Sequence, residues 1–110
     1  MIQDRIAKIE AAVRQAHTLP EPARKEILAL LAELKTEAAP LSSTHEEEVQ
    51  SIARFADASV HEATRSTQKP ALVEAALKGL SSSVQDFEVT HPRLVQIVDR
   101  LALTLSQMGI

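Results

Sequence analysis

The chain has 110 residues, 45% apolar and 25% charged, with a net charge of -3, two phenylalanines and no tyrosine, tryptophan or cysteine. That length suits one domain, and the missing thiols exclude disulfides, thiolate metal sites and thiol catalysis. No segment is basic, so the electrostatic footprint of a nucleic-acid binder is missing, and no uncharged apolar run approaches the ~20 residues that span a bilayer.

The first ten residues, "MIQDRIAKIE", place isoleucines at helical spacing among charges and do not read as a leader, so the chain is expected to be cytoplasmic. Prolines at 20, 22, 40, 70 and 92 punctuate the sequence. Every segment between them follows a helical period, which predicts five helices and no strand. The first, 2–18, aligns Ile2, Ile6, Ile9, Val13 and Ala16 on one face. "LPEP" breaks the chain, and Pro22 can open the second helix, 22–37, because the first helical amides have no intrahelical partner. That helix buries Ile27, Leu30, Leu31 and Leu34, while Leu28 falls outside the stripe.

In "APLSSTHEEE", Thr44 with Glu47 has the form of a capping box. Glu46, Glu47 and Glu48 then face the positive end of the helix dipole, a local role that accounts for the acidic run without an acidic tail. Helix three, 45–65, carries a stripe of mostly small residues, Val49, Ile52, Ala53, Ala56, Val60 and Ala63, and leaves Phe55 outside it. Helix four, 70–87, aligns Val73, Leu77, Leu80, Val84 and Phe87, with Gly79 and three serines at 81–83 marking a point of fraying or bending. Helix five, 92–108, aligns Leu94, Val98, Leu101, Leu105 and Met108. Gly109 and Ile110 read as a Schellman stop. Thr90 or His91 is the cap of this helix: Thr90 would bring Val89 and Leu94 together as a hydrophobic staple, whereas His91 would accept an amide proton through a neutral ring.

The C-terminal stretch "FEVTHPRLVQIVDRLALTLSQMGI" resembles the end of a group of short bacterial helical proteins, the domain of unknown function 4404. The likeness rests on Phe87, Glu88, Thr90, His91, Pro92, Leu94, Arg100, Leu101, Met108, Gly109 and Ile110, with "LPEPARKEILALLAEL" similar to the family's earlier turn and helix. The resemblance implies a small helical fold and carries no catalytic residue.

Two glycines allow no phosphate-cradling loop. "HEATR" at 61–65 has Arg65 where a zinc helix needs a second imidazole. Glu88 and His91 have the Glu-x-x-His spacing of a di-iron half-site, but such a site needs the motif twice and two further carboxylates. They are the only metal candidates, and no cofactor is expected. His17, His45 and His61 read as surface histidines near helix ends. No serine stands on a strand-to-helix elbow, so no catalytic residue is assigned. Leu28, Phe55 and Leu103 remain as bulky apolar side chains outside their stripes and are the interface candidates. The resulting expectation is an all-α single domain: a helical hairpin over 1–39 packed on a three-helix antiparallel bundle over 44–110. Its expected role is non-enzymatic, an interaction or self-assembly module with a homo-oligomer or another protein as partner. The alternative is a small-ligand or metal site near Glu88 and His91.

Overall fold

The computed structural model describes residues 2–108. It is all-α: α1 (Ile2–Gln15), α2 (Glu21–Ala38), α3 (Glu46–Ala63), α4 (Pro70–Ser83) and α5 (Pro92–Met108), with 3-10 turns at Ala39–Leu41 and Gln85–Phe87. The described residues contain no strand. All five expected stripes face one aliphatic core, in which Ile6, Ile9, Ile27, Leu31, Leu34, Ile52, Leu80, Leu94, Leu101 and Leu105 are fully buried.

Cross-helix contacts fix the directions. Arg93 of α5 reaches Glu33 and Glu37 of α2, while Arg100 reaches Glu26, so these two helices are antiparallel. Phe55 of α3 lies over Gly79 of α4, and Glu48 shares a cleft with Asp86, which makes that pair antiparallel too. Gln68 after α3 donates to the Met108 carbonyl at 3.3 Å, while His45 before α3 lies beside His91 before α5. Those helices are therefore parallel. Thr18 donates to Thr64 O at 2.9 Å, and Lys8 of α1 shares a cleft with Asp57 of α3. So α1, α3 and α5 point one way, α2 and α4 the other. The α1/α2 hairpin sits on the α3/α4/α5 bundle through α1 on α3 and α2 on α5. The radius of gyration is 12.9 Å, close to the ~13 Å expected of a folded chain of about this length, so no helix stands away from the core.

The ends of the helices are where sequence and structure part. α1 stops at Gln15, short of Thr18, because Arg24 takes its last carbonyls. The guanidinium donates to Val13 O at 2.6 Å, Arg14 O at 2.9 Å, Ala16 O at 2.9 Å and Leu19 O at 3.2 Å, and its Nε to Glu21 Oε1 at 2.9 Å. Pro20 holds the N-cap position of α2, with Pro22 inside the first turn.

Thr44 does not cap α3. The turn that follows α2 carries on, His45 N donating to Leu41 O at 2.8 Å, so the helix begins one residue later than expected, with His45 at the N-cap and no side-chain cap bond. The capping box with Glu47 therefore does not form, although Glu46, Glu47 and Glu48 do occupy the first turn. α4 ends at Ser83, not Phe87. Ser83 Oγ donates to Leu80 O at 2.6 Å, a serine hydroxyl competing for a helix carbonyl, and a 3-10 turn delivers Phe87 to the core instead.

At α5, His91 rather than Thr90 precedes the first helical residue, its carbonyl accepting from Val95 N at 3.4 Å. Val89 is 92% exposed while Leu94 is buried, so the staple between them does not exist. Gly109 and Ile110 lie outside the described residues. Leu28 is half-buried and packed on the chain's own core, which removes it from the set of free apolar side chains.

Two buried polar groups were not visible in the periodicity. Glu10, 6% exposed, is neutralised by Lys35 Nζ at 2.8 Å. Ser59 is fully buried on α3 and its hydroxyl has no hydrogen-bond partner.

Replacing Arg24 by Ala is expected to lower stability by about 2–3 kcal/mol, with Lys recovering less than half, because an ammonium cannot reproduce the planar five-donor fork. Urea denaturation of the three proteins checks this, and equal midpoints for wild type and Arg24→Ala would refute it. Ser59→Ala should leave stability unchanged or raise it by up to about 1 kcal/mol, since it removes an unpaired buried hydroxyl. A clear fall in melting temperature would show that the hydroxyl contributes.

Candidate functional site

Two regions stand out, one at an end of the bundle and one on its flank. At the end, the starts of α3 and α5 lie side by side, and the 3-10 turn after α4 pushes Phe87 between them. His45 and His91 each approach the Phe87 ring edge-on, at centroid distances of 5.4 Å, and each other at 6.2 Å. Each imidazole Nδ1 lies 2.9 Å from the hydroxyl of the threonine before it, Thr44 and Thr90 respectively. The ring of His91 thus meets a hydroxyl and not a helix amide. The two Thr-His pairs are built alike, each holding a ring against one phenylalanine.

Such a T-shaped cluster is packing chemistry: the positive ring edge meets the negative ring face, a preference worth about 0.5–1.5 kcal/mol per pair beyond burial. Glu88 is exposed on the turn, and the structure joins His91 to His45, not to Glu88. Among the described residues no three His, Asp or Glu side chains are grouped as metal ligands. His17 and His61 are exposed and apart from this corner. Pairing of His45 with His91 was missed in the sequence, where the only signal was the repeated Thr-His ahead of two helices.

On the flank, α4 lines an open groove of about 610 Å³ to which α5 contributes Ser106. Its floor is apolar, Val73 and Leu77, and its rim carries Glu74, Lys78, Ser81 and, from α5, Ser106. Val73 is buried but is not part of the main core cluster, and Leu77 is only half-buried against that cluster, so the stripe of α4 rolls outward here. One turn before Ser106, Leu103 is 58% exposed. Ser106 Oγ donates to the Leu103 carbonyl at 2.7 Å.

Phe55 behaves differently. Its ring, 40% exposed, lies across α4 at Gly79, where a Cβ would run into it. The glycine that weakens the helix by about 1 kcal/mol relative to Ala is thus the seat of an aromatic ring. Phe55 is therefore partly used within the chain, and Leu103 is the free apolar side chain of the three interface candidates. Leu72, 43% exposed, is a further exposed apolar residue that the sequence reading missed.

Five helices closing on one aliphatic core, with apolar surface left along a groove, define a small all-α domain. Over residues 24–110 the sequence matches the family described as a domain of unknown function (DUF4404), and the chain belongs to that family. The matching stretch includes the whole "FEVTHP" corner and both walls of the groove, while α1 and the "LPEP" turn precede it. No curated protein and no solved structure matches the chain. No helix among the described residues is long and apolar enough to cross a membrane.

The corner gives a direct test of its packing role. His45→Ala and His91→Ala should each lower stability by about 0.5–1.5 kcal/mol, and by less in a Phe87→Leu background, because the edge-to-face partner is then gone. A chemical-denaturation double-mutant cycle measures the coupling. Strictly additive effects would show that the rings do not interact.

Proposed function

We propose that this is a non-enzymatic, cytoplasmic protein-interaction module whose working surface is the α4/α5 groove. The observation that carries the reading is an open groove with an apolar floor, Val73 and Leu77, and Leu103 exposed on α5 one turn before Ser106 of its rim. A lone exposed leucine means little, but a groove with its own apolar floor and a polar rim has the make-up of a surface that takes an amphipathic helix. The polar groups of the rim, Glu74, Lys78 and two serines, suit orientation of a partner.

The experiment is photocrosslinking in the native cell, with a benzophenone amino acid placed at position 78 on the groove rim or at exposed position 25 on α2 as control. A covalent protein adduct is expected from position 78 and not from position 25. No adduct from the groove position would overturn the reading.

A further inference from the structure

On the side of α4 turned away from the groove, an aromatic ring lies open in a cleft whose charges are all negative. We propose that this cleft, about 310 Å³ between α3 and α4, seats an arginine side chain from a basic segment of a protein partner. The inference uses none of the residues that line the groove and does not rest on the reading above.

The ring is held flat by a glycine. Position 79 lies inside α4, where glycine weakens a helix. A Cβ there would meet Cδ1, Cε1 and Cζ of Phe55, the last at 3.1 Å. An atom in contact with Cδ1 and Cε1 from within the ring plane would stand well beyond that distance from Cζ, so the approach is from above the plane. Gly79 therefore lies under one face of the ring. The other face is left to the cleft, which Phe55 lines while 40% exposed. An aromatic face is the negative part of the ring quadrupole and attracts a cation laid over it.

The walls carry the same sign. Glu48 of α3 and Asp86 of the 3-10 turn stand at the cleft with the hydroxyls of Ser51 and Ser82, and among the described residues no cation lines it. Arg54 and Lys78, next to the ring and the glycine in sequence, are exposed and line no part of it. Neither carboxylate takes part in a salt bridge among the described residues. An exposed phenylalanine alone means little, and so do two surface carboxylates. Here the ring's orientation is fixed by Gly79, and every charge around its open face is negative.

The complement of this surface is a positive charge flat enough to lie on a ring and forked enough to reach carboxylates at its edge. A guanidinium has that shape, whereas an ammonium is a compact point charge. The volume is at the small end of the ~300–1,000 Å³ range of ligand sites, which suits one inserted side chain and not a whole helix.

The test is a titration of the purified full chain with the blocked tripeptide acetyl-alanyl-arginyl-alanine amide, followed by amide chemical shifts. The same peptide with citrulline, which keeps the planar side chain and removes the charge, is the control. The arginine peptide is expected to shift Ser51, Gly79 and Ser82, and the citrulline peptide to bind on the order of tenfold more weakly. Glu48→Gln/Asp86→Asn should weaken the arginine peptide by on the order of tenfold. Phe55→Leu, which keeps an apolar side chain but removes the aromatic face, should weaken it about threefold. Gly79→Ala should match that loss, since the added methyl displaces the ring. Phe55 and both carboxylates are exposed, so those variants are expected to keep the wild-type circular dichroism.

Equal shifts from the arginine and citrulline peptides overturn recognition of the charge, and undiminished binding by Phe55→Leu overturns the role of the ring. Shifts that fall outside the cleft, or no shift at all, overturn the proposal.

Discussion

The bundle depends on how the chain turns from α1 into α2, and that turn is held by one guanidinium. The last carbonyls of a helix have no intrahelical donors, and here the linker's backbone gives one bond, from Ala16 N to Val13 O at 3.3 Å; the rest must come from a side chain. Arg24 supplies them, spending its donors on four carbonyls and a carboxylate between Val13 and Glu21. With α1 stopped at Gln15, α2 departs at an angle that lays its stripe against α5, and the hairpin closes over the three-helix unit. A longer α1, continuing to Thr18, would carry Leu19 away from the core in which it is buried.

The twin threonine-histidine pairs show the same economy at the other end. Two parallel helices begin beside each other, and neither is given an ordinary side-chain cap by its threonine. Each hydroxyl orients an imidazole, and the two imidazoles close over Phe87, the one aromatic ring that is fully inside. What the sequence presents as a histidine and a glutamate at metal-ligand spacing becomes a packed corner, because the 3-10 turn leaves Glu88 on the outside.

Helix number and core faces were legible because each stripe is long and aliphatic: Ile2 to Val13, Val49 to Ala63 and Leu94 to Leu105 are buried as their spacing requires. Helix ends were less so. Thr44 lost the cap to a turn stabilised from Leu41, and Ser83 truncated α4 through a hydroxyl-carbonyl bond that no periodicity encodes. The groove was half legible. Leu103 announces itself by lying about 180° from Leu94 at 100° per residue, but the outward roll of Leu77 depends on how α4 tilts against α5. Glu10 with Lys35, and His45 with His91, are separated by tens of residues along the chain and meet only once the helices are packed.

An odd number of helices with alternating direction has a mechanical consequence. Ile2, at the start of α1, belongs to the end of the bundle that holds His45 and His91, and Met108 belongs to the opposite end beside Gln68. The longest dimension is 38 Å. Tension applied between those two points runs along the helix axes and loads the packed faces in shear, so many contacts must yield together. In a four-helix bundle of the same kind both points would sit at one end, and the same pull would peel the helices apart one contact at a time.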